Sequence, residues 1–219
     1  MSITGDRNRY LPAAGRDWAL PLYDPLQRLL GGDAARRPLL DQAVLAPGQR
    51  VLDIGCGTGT LAALLKSLYP EVHVVGLDPD PKALARAGRK AARAGFSIRF
   101  DRGFSGELPY ADASFDRVFS SYMFHHLNAG DRQKTLREVR RVLGPAGSFH
   151  MVDFVRPEAG AKGWSGRLLG PHAHFRDNSD SQILALLGEA AFACAQKVAE
   201  RALLGGLLRL SYYRAVAPS

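Results

Sequence analysis

Apolar and polar positions alternate in blocks along most of this chain, and the blocks change period in a regular way. Residues 50–54 are a short apolar run that stops at Gly55-Cys56-Gly57-Thr58-Gly59. This pattern predicts a buried strand feeding a tight turn. Leu61, Leu64, Leu65 and Leu68 follow at i, i+3, i+4 and i+7, which is one face of a helix. A second strand is predicted over 72–77, ending at Asp78, and an alanine-rich helix over 82–94, with Pro81 suited to its first turn and Gly95 to its stop. Strands follow at 97–100 and 115–120, separated by a loop over 103–114. Leu136, Val139 and Leu143 mark a further helix, closed by Gly144-Pro145-Ala146-Gly147. The pattern ends with a strand at 149–155, a helix at 179–188 capped by Asp177, Asn178 or Ser179, and strands at 194–199 and 207–216.

Strands alternating with helices predict an α/β fold: a Rossmann-like, seven-stranded, mostly parallel sheet with helices on both faces. The last two strands have no helix between them, so the last is expected to run antiparallel. The chain is read as a single domain over 1–219. It has an N-terminal helical cap over 1–46, a core over 47–155, a candidate lid over 156–178, and a C-terminal helix and strand pair over 179–219.

Composition narrows the function classes. Hydrophobic residues make up 46% and charged residues 23% of 219, so the chain can bury a proper core and does not read as disordered. No stretch approaches the ~18 consecutive apolar residues of a membrane span. The first residues carry no apolar signal segment, and Cys56 and Cys194 form neither a disulfide framework nor a metal-ligand spacing. The expected location is the cytoplasm, and no metal is expected. Lys+Arg minus Asp+Glu gives 29 − 21 = +8. That balance would suit nucleic acid, but the basic residues are scattered over predicted helix faces, and charge alone names no partner.

The glycine turn carries the chemistry. Its spacing is G-x-G-x-G; the third glycine of the dinucleotide fingerprint G-x-G-x-x-G would fall at position 60, which is Thr60. Asp53 lies two residues before the first glycine, where a carboxylate repels a pyrophosphate and can pair with an amino group. Asp78, at the end of the second strand, can accept from two ribose hydroxyls or simply sit at a helix N-terminus.

These residues, VLDIGCGTGTLAALL at 51–65 and VVGLDPD at 74–80, are followed in order by ELPYADASFDRVFSS at 107–121, HHLN at 125–128 and LREVRRVLGPAGSFHMVDF at 136–154. Together they resemble class I methyltransferases that use S-adenosylmethionine (SAM), most nearly the small-molecule branch that includes the ubiquinone/menaquinone C-methyltransferases. The resemblance covers about 48–155. It implies SAM as cofactor and S-adenosylhomocysteine as product. It places Gly55, Cys56, Gly57 and Gly59 beneath the cofactor, Asp53 toward the methionyl amine, Asp78 on the ribose, Pro79 against adenine, and Ser120 at the rim. Many relatives have Gly-Asp-Ala at the adenine edge. Here the residues are Gly103-Phe104-Ser105, so that contact would pass to the Phe104 backbone and ring and the Ser105 hydroxyl.

Methyl transfer from a sulfonium is an in-line displacement in which positioning does most of the work, with a base where the acceptor must lose a proton. His125 and His126 follow the fourth strand, whose carboxyl end borders the ligand crevice of such sheets. They are the candidate base or substrate contacts, although one could cap the next helix and the other pack. His150 reads as structural, and Asp153 as either a pocket border or a solvated strand end. His172 and His174 read as lid or surface residues. Tyr10, Trp18 and Tyr23 could cover an apolar substrate or pack on the sheet.

The expected activity is methylation of a small-molecule acceptor, apolar or phenolic. Two alternatives stand beside it: an RNA methyltransferase, for which Ser121-Tyr122-Met123-Phe124 lacks the Asn/Asp-Pro-Pro-Tyr/Phe pattern, and a non-catalytic SAM-binding protein. The acceptor's identity, the atom methylated and the oligomeric state are left open by the sequence.

Overall fold

The computed structural model describes residues 32–155, 178–203 and 208–218. The described chain opens with helix α1 (Gly32–Asp41). It continues through β1 (Arg50–Ile54), α2 (Thr60–Leu68), β2 (His73–Asp78), α3 (Pro81–Arg93), β3 (Arg99–Arg102) and β4 (Phe115–Ser121). A 3-10 turn (Phe124–His126) leads to α4 (Ala129–Val142), β5 (Leu143–Val155), α5 (Asp180–Glu189), β6 (Cys194–Leu203) and β7 (Leu208–Val216).

The seven strands form one sheet in the order β3-β2-β1-β4-β5-β7-β6. Pairing is parallel from β3 through β5, and β7 runs antiparallel to both of its neighbours. The last strand therefore has the direction the sequence predicted. Because successive side chains point to opposite faces, the sheet builds two cores. Leu52, Ile54, Val118, Phe149, Met151 and Tyr213 face α4 and α5 through Leu136, Val139, Ile183 and Leu187. Val51, Val74, Phe119, Val152 and Tyr212 face α1 and α2 through Leu39, Leu40, Leu61 and Leu65.

Local signals set the helix starts. Asp80 caps α3 by accepting from the Lys82 backbone N–H, with Pro81 in the first turn. Asn128 caps α4 through Asp131, and Ser179 begins α5 with a capping box closed by Gln182. Among the described residues no helix is long and apolar enough to cross a membrane.

Three boundaries differ from the sequence pattern. β3 lies two residues later than predicted, because an edge strand is placed by its backbone pairs, here Val75 with Arg99 to Asp78 with Arg102, and Ile98 and Phe100 marked only the apolar side. Leu143 and the segment Gly144–Gly147 do not close the preceding helix. They open β5, with Leu143 paired to Phe115 and an irregular register before Arg117. Gly147 lets the chain fold back there: a Cβ would stand 2.9 Å from the Gly144 carbonyl oxygen. β6 extends to Leu203 rather than stopping at 199.

Candidate functional site

β1 lies between β2 and β4, with Asp53 in register with Gly76 on one side and Phe119 on the other. The chain leaves β1 for one half of the sheet and later returns to build the other. This is the switch point at which a crevice opens beyond the carboxyl ends of the strands. All the described candidate residues cluster around that end.

The glycine turn is tied down before any ligand arrives. The Cys56 N–H donates to the Leu77 carbonyl at 3.0 Å, and the Gly59 N–H to the Cys56 carbonyl at 2.8 Å. Gly55, Gly57 and Gly59 all have positive φ, at 66°, 52° and 73°, in the region that glycine enters without steric cost. Gly55 and Gly59 are also needed for close approach. A Cβ on Gly55 would lie 2.3 Å from Met123 Cγ, and one on Gly59 would lie 2.8 Å from Ala87 Cβ. Gly57 is different: nothing lies within 4 Å of its absent side chain, so the turn is open at that point.

Asp78 holds this turn from β2. Its Oδ2 accepts the Gly57 N–H at 2.8 Å, and its Oδ1 accepts the Asp80 N–H at 2.9 Å. Burial pushes its carboxyl up, and those two backbone donors partly offset the shift. Each carboxylate oxygen can accept more than one hydrogen bond, so bracing the loop leaves room for ribose hydroxyls.

Asp53 is the outlier. It is completely buried, and neither carboxylate oxygen has a hydrogen-bond partner among the described residues. Burial pushes its pKa up to about 7, against the opposing influence of the Arg36 guanidinium; nearby Asp78 adds to the rise, and the Ala62 backbone N–H at the start of α2 weakly opposes it from beyond ordinary hydrogen-bond geometry. A buried carboxylate short of hydrogen-bond donors is costly. Cys56 is also buried, and burial together with Asp53 and Asp78 pushes its thiol well above the ordinary range, so it is no thiolate nucleophile. Its sulfur packs over Gly76.

A second cluster forms where β4 and β5 end. Asp153, also completely buried, receives three donors: the His125 backbone N–H on Oδ2 at 3.0 Å, and on Oδ1 both the His125 ring Nδ1 at 2.5 Å and the Phe154 N–H at 2.7 Å. The His126 ring lies 4.0 Å from that of His125, and Phe154 meets His125 edge-on at 5.6 Å. Tyr122 has a positive φ of 58°, rare for a bulky side chain. Its ring lies 5.2 Å from Phe154 and 5.1 Å below the buried Arg36 guanidinium. Ser120 is buried with its hydroxyl unpartnered among the described residues.

Residues 51–147 match the family model described as a methyltransferase domain. Over that span the chain is similar to methyltransferases. The chain is 41% identical over 146 residues to the demethylmenaquinone methyltransferase of Thermus thermophilus, covering 65% of the chain and 66% of that relative. It is 40% identical over 155 residues to the enzyme of the same name from Deinococcus radiodurans, covering 69% of the chain and 64% of that relative. The chain thus spans just under two thirds of the length of each. Its fold resembles that of phosphoethanolamine N-methyltransferase 2 of Haemonchus contortus, solved with SAM, at a TM-score of 0.78 and 18% identity over 94% of the chain and 58% of that protein.

Of the residues singled out in the sequence, Asp53, Gly55, Cys56, Gly57, Gly59, Asp78, Pro79 and Ser120 come together around the turn, with His125 and His126 on the neighbouring loop. Phe104 is 47% exposed on the 103–107 loop. The Ser105 hydroxyl already has a partner, Thr135 Oγ1 on α4 at 2.8 Å. Asp153 is no solvated strand end. His150 is structural as expected: it is buried, with its ring Nε2 2.8 Å from Ser148 Oγ, and burial pulls its pKa down to about 3. Tyr10, Trp18, Tyr23, His172, His174 and the lid candidate 156–177 lie outside the described residues. No local pattern marks Arg36 or Tyr122, since their guanidinium–ring contact exists only once α1 packs over the loop after β4. Asp153 did carry a signal: a carboxylate inside the apolar run Met151–Val155 must find donors or stay in water.

Proposed function

We propose that this chain transfers the methyl group of SAM to a small-molecule acceptor, releasing S-adenosylhomocysteine. Asp53 is the observation that carries the reading. A buried carboxylate whose oxygens accept no hydrogen bond among the described residues, two residues before a turn that is open at Gly57, would be matched by a methionyl amine and would repel the pyrophosphate of a nicotinamide dinucleotide. Gly55, Gly57 and Gly59 would pass beneath the cofactor, Asp78 would take the ribose, and Pro79 and Phe104 would flank adenine. Bound there, the cofactor supplies an electrophilic methyl group on a cationic sulfur, and the loop after β4 presents the acceptor to it.

The names of the Thermus and Deinococcus relatives favour a reduced demethylmenaquinone, a phenolic ring with an apolar tail, as the acceptor class. The rings of Tyr122, Phe154 and His126 suit a planar acceptor. The whole chain acts as one methyltransferase domain in a reducing cytoplasm, where free Cys56 and Cys194 stay reduced. The test is calorimetric titration with SAM, S-adenosylhomocysteine and NADH, followed by methyl transfer to a reduced short-tailed demethylmenaquinone. Binding of the first two and not NADH is expected. Well-folded protein that binds neither sulfur compound would end this reading.

A further inference from the structure

We propose that the base end of the cofactor site is read through the ring of Phe104 and not through hydrogen bonds, so that the chain takes purine nucleoside thioethers and sulfoniums with little regard to the group at the purine's 6-position. The proposal rests on the SAM reading above. It adds the residue that sets how strictly the base is recognised, and the wider class of ligands that follows.

Sheet order places the base. At this edge the strands run β1, β2, β3. With the methionyl amine at Asp53 on β1 and the ribose at Asp78 on the end of β2, a cofactor continuing in the same direction would bring its base to the end of β3. The chain is drawn close there. Asp78 is in register with Arg102, and the Gly103 N–H donates to the Asp78 carbonyl at 3.2 Å. Residues 103–105 are therefore the first that a base would meet.

Their polar groups are already committed. Gly103 lays bare backbone against Leu77, where a Cβ would stand 2.9 Å from Leu77 Cδ1. Phe104 and Glu107 form an antiparallel bridge in which the Glu107 N–H donates to the Phe104 carbonyl at 3.1 Å. The main-chain edge of Phe104 thus faces Glu107. Ser105 Oγ is paired with Thr135 Oγ1. Asp101, on β3, accepts from Arg99 Nε on Oδ1 at 2.9 Å and from the Tyr110 hydroxyl on Oδ2 at 3.0 Å. From α4, Glu138 accepts the Leu108 N–H at 2.7 Å, and Arg141 donates to the Leu108 and Tyr110 carbonyls at 3.0 and 2.7 Å. These bonds brace the loop, so Ser105 and Asp101 are not freed cheaply. Glu107 is exposed, and a hydrated carboxylate gains little by exchanging water for an amine. The Phe104 ring, 47% exposed, is the group left to meet the base.

A ring reads the π-face of a base, and every base has one. Strict discrimination requires a polar group that the wrong ligand leaves unpaired: a site built that way rejects the wrong ligand by ~10⁴-fold, an apolar one by ~10²-fold at most. Hypoxanthine is the diagnostic base. It carries an oxygen in place of the 6-amino group and a proton on N1, which reverses both hydrogen-bonding signs and leaves the π-face.

The experiment is calorimetric titration of the full chain with S-adenosylhomocysteine, S-inosylhomocysteine and the N⁶-methyl form of S-adenosylhomocysteine. In wild type all three are expected to bind within about tenfold of one another. Phe104→Ala should weaken all three in parallel, by roughly five- to a hundredfold, the range for losing one stacked ring. Phe104→Asp supplies a carboxylate that accepts from the amine and repels the 6-oxygen. It should widen the preference for S-adenosylhomocysteine over S-inosylhomocysteine by at least about tenfold. Glu107→Gln should leave the wild-type ratios unchanged. Phe104 is exposed and bridges through its main chain, so its variants should fold, and the wild-type ratios decide without them. Wild type that binds S-adenosylhomocysteine and rejects S-inosylhomocysteine by more than about tenfold would overturn the proposal and leave the SAM reading standing. So would Phe104→Ala with unchanged affinities, or Phe104→Asp with the wild-type ratio. Folded wild type that binds none of the three would remove the SAM reading itself, and this proposal with it.

Discussion

Replacing Asp53 with Asn should make the ligand-free protein more stable at neutral pH while damaging its cofactor site. The folded-state pKa of Asp53 is pushed from 3.8 up to about 7 by burial, after the opposing effect of Arg36. Below about pH 4 the carboxyl is protonated in the folded and unfolded chains alike, and the shift has no effect on stability. Between about 4 and 7 the unfolded chain ionises while the folded one keeps its proton. Wild-type stability therefore falls as pH rises, by about 1.4 kcal/mol per unit. Above 7 the full penalty is present: roughly 3 units, or roughly 4 kcal/mol. An asparagine does not titrate. Its buried amide brings its own desolvation cost, of about 1–3 kcal/mol, but that cost does not change with pH, so the slope is diagnostic and the offset is not. Urea unfolding of both proteins at half-unit steps from pH 4.5 to 8.5 should give a stability difference that moves steadily in favour of the variant up to about pH 7 and then levels. Parallel curves would refute the reasoning, because they would mean that Asp53 ionises in the fold as it does in water. The same substitution removes the anion offered to the methionyl amine. S-adenosylhomocysteine affinity should fall by at least about tenfold, or about 1.4 kcal/mol. Wild-type binding at pH 6 should release close to one proton, seen as a binding enthalpy that depends on the buffer.

Three further substitutions probe the turn. Gly55→Ala sets a Cβ 2.3 Å from Met123 Cγ at a φ of +66° and should cost about 2 kcal/mol or more; an unchanged melting temperature would contradict this account of the site. Asp78→Ala leaves the Gly57 and Asp80 N–H groups without their acceptor. It should lower stability by about 1–3 kcal/mol and weaken S-adenosylhomocysteine; equal affinity in the variant would remove the ribose assignment. Cys56→Ala should retain turnover, since the thiol is held neutral, and peptide mass spectrometry after brief iodoacetamide treatment of the native protein should find label on exposed Cys194 and not on Cys56.

The β1-turn-α2 unit was legible in the sequence because each part has a local cause: an apolar run, glycines that permit positive φ, and leucines at helical spacing. Helix starts at Pro81 and Ser179 were legible for the same reason. What escaped was set by partners distant in sequence. The bulged opening of β5 depends on Phe115 accepting Leu143 as its neighbour, so the glycines of 144–147 read naturally as a helix end. Ser105 looked available for adenine because nothing local showed Thr135 reaching its hydroxyl from α4. The position of Asp78 at a strand end suggested a ribose contact and did not show the brace of the glycine turn, since that bond spans β2 and the loop after β1. Arg36 and Tyr122 form a pair only once α1 lies over the sheet.

The two fully buried carboxylates at this end of the sheet divide its work by how they are satisfied. Asp153 receives three donors, two of them from His125, and its charge is used up in fixing another side chain. Asp53 accepts no hydrogen bond among the described residues, and burial disfavours its charge. The arrangement would fail if exchanged. A fully hydrogen-bonded carboxylate beneath the glycine turn would gain little from an incoming amine, and an unsatisfied one beside His125 would leave the ring free to choose either tautomer. Stability is therefore expected to respond differently at the two residues: changes at Asp153 strand its donors and lower it, whereas removing the charge of Asp53 shifts it in the variant's favour as pH rises to about 7.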